Sequence, residues 1–116
     1  MKKFLAVYVG TNAARTEWDK LDEATRKRRT QAGMQAWATW MNKYQDVIVD
    51  TGGPLGKTKQ VSDTGIADIK NALAGYVILH AESHQAAAQM FLKHPHFALF
   101  PGAAVEIMEC LPIPQG

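Results

Sequence analysis

The sequence predicts a ferredoxin-like α+β sandwich, an antiparallel sheet carrying two helices on one face. Three observations carry this. Strand-like and helix-like segments follow in the order β-α-β, an insert, then β-α-β. A chain of 116 residues is long enough for one domain with one modest core. Its 47% hydrophobic and 21% charged residues are those of an ordinary soluble globular protein.

Residues 3–9 are predicted to form the first strand, because Phe4, Val7, Tyr8 and Val9 are strand formers and Gly10-Thr11-Asn12 ends the run. The same run, after Met1-Lys2-Lys3, resembles the start of a signal peptide. It has only about the minimum apolar length, and no small-residue cleavage site follows cleanly. Residues 11–21 read as a polar loop with one helical turn around Trp18 and Leu21. Asp22 can cap a long helix reaching about Tyr44, with Glu23 at its positive end. Met34, Trp37, Met41 and Tyr44, with Trp40 beside them, recur at helical steps and make one face apolar.

Residues 46–51 read as the second strand, Gly52-Gly53-Pro54 as a turn and 57–62 as a short edge strand. Residues 63–73 read as a loop, long enough to serve as a lid. Residues 74–81 are the next strand. Ser83 caps a helix over 84–93, which Pro95 ends, and 104–110 form the last strand.

Several function classes are excluded or weakened. "TGGPLGKT" over 51–58 ends like a phosphate-binding loop, yet Thr51 stands where that motif needs its first glycine, and the residues after Thr58 are not helical. Net charge is only +2, and Arg26 to Arg29 follow Asp22 and Glu23 at helical spacing, so no nucleic-acid partner is expected. No run approaches the roughly 20 apolar residues of a membrane span, so no membrane partner is expected. Cys110 is the single cysteine and cannot form an intramolecular disulfide, which points to a cytoplasmic protein. No zinc spacing occurs. His94 and His96 flank Pro95 without a nearby carboxylate, so that segment reads as a loop; His84 reads as exposed. No metal and no cofactor are expected.

Alternation sorts the strand side chains onto two faces. Leu5, Val7, Val9, Val47, Val49, Val77, Leu79, Val105 and Ile107 form an aliphatic set expected beneath the helices. Phe4, Ala6, Tyr8, Ile48, Asp50, Tyr76, Ile78, His80, Glu106, Met108 and Cys110 form the other face. Too apolar to meet water, that face is expected to line the interior of a homodimer. Asp50, His80 and Glu106 could act there as acid or base, or His80 and Glu106 could pair structurally. Tyr8, Tyr76 and Trp37 are candidate ligand walls, and Lys59 could hold an anionic group.

"VDTGGPLGKTKQVSDTG", "LAGYVILHAES", "AAAQMFLKHPHF" and "GAAVEIMECLP" together resemble the YCII-related family in its DGPF-type branch. Gly53-Pro54-Leu55 stands for Gly-Pro-Phe, and Lys59 for a later lysine. Gly75-Tyr76 matches the opening of a strand, His94-Pro95 a turn, and Val105-Glu106-Ile107 the last strand. Leu55 replaces the phenylalanine, and a glycine replaces the aspartate. The resemblance spans nearly the whole chain and implies a dimeric α+β barrel, mostly without assigned activity; Pro54, in the matched motif, joins the candidate ligand-binding residues. Some relatives are implied to use a His/Asp pair with the histidine early. No histidine precedes His80 here, so that pair does not transfer. Three functions stay open: small-molecule binding, a cofactor-free isomerase, lyase or hydrolase, and a purely structural dimer.

Overall fold

The computed structural model describes residues 1–114, apart from the side chain of Ala98. In chain order the elements are β1 (Lys2–Val9), α1 (Asn12–Asp19), α2 (Glu23–Lys43), β2 (Ile48–Pro54), β3 (Thr58–Ser62), β4 (Gly65–Ile69), β5 (Leu73–Ala81), α3 (His84–Gln89), α4 (Pro95–Ala98) and β6 (Ala104–Glu109). Four strands form an antiparallel sheet in the order β2-β5-β1-β6, the ferredoxin-like arrangement, and β3 and β4 form a separate two-stranded hairpin.

Capping chemistry sets the helix starts. Thr11 Oγ1 accepts from Ala14 N–H at 3.2 Å, and Ser83 Oγ accepts from Ala86 N–H at 3.0 Å. Glu23 in the first turn of α2 and Lys43 in its last complement the helix dipole.

The core lies between the sheet and the helices. Phe4, Ala6 and Tyr8 of β1 stand beside Leu79, Val77 and Gly75 of β5, and beside Glu109, Ile107 and Val105 of β6. Trp40, Ala87 and Phe91 cover them, and Trp40 Nε1 donates to the Met90 carbonyl at 2.8 Å. Burial of each large apolar side chain here contributes roughly 1.5–3 kcal/mol.

This reverses part of the expected face assignment. Val77, Leu79, Val105 and Ile107 do lie beneath the helices, but in β1 the set below them is Phe4, Ala6 and Tyr8, not Leu5, Val7 and Val9. In β2 it is Ile48 that packs on the core, while Val49 is exposed. Both sets in β1 are apolar, so alternation separates them without saying which is inward. The aromatic set wins because it meshes with Trp40 and Phe91.

Four local expectations are also corrected. Gly52-Gly53-Pro54 is strand rather than turn: Gly53 and Pro54 pair with Tyr76 and Gly75 through irregular register, and Leu55 N–H donates to Ala74 O at 3.0 Å. Pro54 is tolerated because β2 is an edge strand. Residues 58–62 pair with 65–69 instead of flanking the main sheet, so most of the expected loop is β4. The 11–21 segment holds a two-turn helix capped by Thr11. Finally, α3 ends at Gln89, and Pro95 opens α4 at its first position, where a proline has no helical N–H to lose. Among the described residues no helix is long and apolar enough to cross a membrane.

Candidate functional site

A cavity of about 500 Å³ opens where β1, β2 and β5 meet α1, α2 and the segment around α4. Missing side chains make room for it. Gly75 stands opposite Tyr8 in register, and a Cβ there would lie 3.1 Å from the Gly53 carbonyl. Beyond Gly10 and Thr11, α1 carries Arg15 to the cavity, and α2 presents Trp37. His96, Phe100, Pro101 and Gly102 supply the opposite wall. Two glycines seat that wall. Gly33 of α2 is buried against the Phe100 ring, and a Cβ on Gly102 would collide with the carbonyl and ring of His96.

The polar groups of the wall form a chain whose proton positions follow from their partners. His96 N–H donates to His94 Nδ1 at 3.0 Å, so neutral His94 carries its proton on Nε2. Burial, and then the neighbouring His96, push the His94 pKa down to about 4, which keeps the ring neutral. Its Nε2–H therefore faces Tyr8 Oη as donor, across a long 3.4 Å. Burial raises the Tyr8 pKa, so Tyr8 remains a phenol with its own proton to give.

His96 Nε2 lies 3.0 Å from the Val9 carbonyl and 3.1 Å from that of Ala104. Two carbonyl partners require the proton on Nε2, leaving a lone pair on Nδ1. Burial lowers the His96 pKa and the two carbonyls oppose that shift. Trp37 lies tilted at 4.7 Å from Tyr8 and edge-on at 4.5 Å from His94, ring centre to ring centre.

Tyr8, Trp37, Pro54 and Tyr76, all named from the sequence, border this cavity. Tyr8 does so from beneath the helices, not from the face expected to meet a second copy. The ring of Tyr76 belongs to the opposite face, by alternation with buried Val77. Lys59 is elsewhere, on β3, bonded to Asp68 at 2.7 Å. Asp50 is exposed on β2 and accepts from Gly52 N–H at 2.8 Å. Glu106 is exposed opposite Val7, which pairs on its other side with Tyr76. His80 stands opposite Lys3, two register pairs beyond Leu5 and Ile78. His80 and Glu106 thus occupy different rows of the open face. Asp50, His80 and Glu106 do not border the cavity.

Reading the sequence missed His94, His96, Arg15 and Phe100. The available signal was His-Pro-His followed by Pro101-Gly102, a segment built to turn sharply inward. Among the described residues no three His, Cys, Asp or Glu side chains converge as a metal set, and His94 Nδ1 and His96 Nε2 are already engaged with backbone groups.

No family model matches the chain, and no curated protein matches it. Among solved structures it is similar to the 5-chloro-2-hydroxyhydroquinone dehydrochlorinase of Burkholderia phenoliruptrix AC1100, determined in complex with 2,5-dihydroxybenzoquinone. The TM-score is 0.52 and the identity 17%, over 91% of this chain and 90% of that one. At that identity the likeness establishes the shared fold.

Proposed function

We propose that the chain is a YCII-related protein of the DGPF type that binds a small planar molecule in this cleft and works as a homodimer. The observation that carries the reading is the cavity itself, an aromatic slot with a few convergent polar groups, which is the usual form of a small-ligand site. A similar fold that accommodates a small oxygenated ring supports the size class. A thermal-shift screen of aromatic acids, phenols and quinones is expected to raise the melting temperature of the wild type. At a hundredfold excess over Kd the gain is about 2.7 kcal/mol, several degrees for a domain of this size. Trp37→Ala is expected to lose most of that shift. A screen in which no compound raises the melting temperature would sink the reading.

The homodimer rests on the face away from the helices, where half-buried Leu5, Tyr76 and Ile78 form an apolar patch around buried Val7. A light-scattering mass of two chains is expected, and Ile78→Glu should halve it. A wild-type mass of one chain would refute the dimer. Acid–base catalysis by Asp50, His80 or Glu106 is a second reading. It is favoured by His80 Nδ1, the buried side-chain polar atom without a partner among the described residues, which stands on the face a second copy would close.

A further inference from the structure

We propose that the cleft selects a planar molecule bearing an acidic hydroxyl next to a second oxygen, with His96 Nδ1 taking the hydroxyl proton and Tyr8 O–H donating to the neighbouring oxygen. This rests on the cleft reading above and adds the chemical class of its ligand.

The argument follows from what the two side chains have left over. Tyr8 Oη receives His94 Nε2–H, because His94 Nδ1 is occupied by the His96 backbone. The phenol hydrogen then has no acceptor among the described residues, although Tyr8 is only 3% exposed. A buried donor left without a partner costs about 1–3 kcal/mol, which a ligand oxygen would recover. His96 is the complement. Its Nε2–H is shared by two carbonyls, and Nδ1 has no partner among the described residues. The His96 ring borders the cavity, and a ligand seated there would meet the ring through this nitrogen.

One unused donor and one unused acceptor thus stand on neighbouring rings whose centres are 5.2 Å apart. A vicinal hydroxy-oxo or dihydroxy edge matches both, whereas a single oxygen matches one. The flat shape follows from Trp37 and Phe100, which pack edge-on at 5.8 Å into one aromatic wall against which a planar ring can lie. The charge follows from the titratable and charged groups around the site. These are Arg15, Tyr8 and His96, with His94 behind Tyr8, and among the described residues no carboxylate borders the cavity. Arg15 holds only a loose, exposed pair with Asp19 at 3.9 Å, so it is free to face an anion.

The proton step is balanced. The ligand O–H bond breaks, His96 gains Nδ1–H, and the electron pair stays on the ligand oxygen. The Val9 and Ala104 carbonyls that fix the neutral tautomer also stabilise the imidazolium. The resulting oxyanion lies between His96 and Arg15, and Tyr8 O–H bonds its neighbouring oxygen.

4-Nitrocatechol tests this, since its visible absorbance reports ionisation. 4-Nitrophenol lacks the second oxygen, and 4-nitroanisole lacks an acidic hydroxyl. About one unit below the probe's own pKa, the wild type is expected to bind 4-nitrocatechol and shift it to the ionised spectrum. Binding should be about tenfold tighter than for 4-nitrophenol, the upper size of one neutral hydrogen bond. Tyr8→Phe should erase that tenfold preference. His96→Gln should abolish the spectral shift, and if that variant fails to fold, the wild-type spectrum and Tyr8→Phe still decide. If 4-nitroanisole quenches tryptophan fluorescence with the affinity of 4-nitrocatechol, the cleft reading stands and the ligand class falls. Binding of 4-nitrocatechol without ionisation overturns the role of His96. If none of the three binds, the ligand class falls, and the thermal-shift screen decides separately whether the cleft reading survives.

Discussion

Gly52→Ala is expected to destabilise the protein by more than about 3 kcal/mol. Two penalties combine at this position. Gly52 has φ +63°, a left-handed conformation that costs a residue with a side chain about 1–2 kcal/mol. A Cβ there would also collide with the Tyr76 carbonyl oxygen, a main-chain atom of the inner strand β5 that cannot step aside. The strand must therefore detach from Gly52 onward, which removes Gly53 and Pro54 from the cavity wall. Urea unfolding is the measurement. Gly53→Ala is the control, because nothing lies within 4 Å of a Cβ built on Gly53, and its effect should stay under about 1 kcal/mol. Equal midpoints for the two variants would remove the steric argument.

The second large effect is a loss of stability in mild acid. The His94 pKa falls from the ordinary 6.5 to about 4 in the folded protein, through burial and then the nearby His96. Above pH 6.5 the ring is neutral in both states and contributes no pH dependence. As pH falls through 6.5 the unfolded chain takes a proton that the folded chain refuses, so stability drops. The slope approaches about 1.4 kcal/mol per pH unit. The cumulative loss reaches up to about 3 kcal/mol near pH 4, below which the folded ring also protonates and the curve flattens. His96, lowered in the same direction, adds to the slope. His94→Asn keeps a residue able to cap α4 and has no such titration. Unfolding midpoints for this variant should vary much less with pH over the same window. An unchanged pH slope would show that the loss arises elsewhere.

Both effects depend on residues the sequence makes hard to read. The order of the main strands and helices is legible because apolar periodicity and the N-cap residues Asp22 and Ser83 are local signals, whereas α1, capped by Thr11, is not. The inward face of β1 is not, because FLAVYV is apolar at every position and only packing against Trp40 and Phe91 chooses Phe4, Ala6 and Tyr8. Gly-Gly-Pro reads as a turn because those residues usually make one, yet an irregular edge strand also uses the left-handed freedom of Gly52 and tolerates the missing N–H of Pro54. Of the cavity wall, Tyr8, Trp37, Pro54 and Tyr76 are legible as aromatic or motif residues. His96, and His94 behind Tyr8, are not, because nothing local signals that a short His-Pro-His segment folds inward. Their burial depends on Gly102, eight and six residues onward, leaving the His96 ring room to seat.

The β3–β4 hairpin pairs only with itself, and its cross-strand neighbours Val61 and Ile66 both face outward. Two strands alone are barely stable in water. The hairpin can therefore be lengthened, shortened or exchanged for an unrelated sequence without disturbing the hydrophobic centre, making this segment the natural place to graft a tag or a recognition peptide onto the molecule.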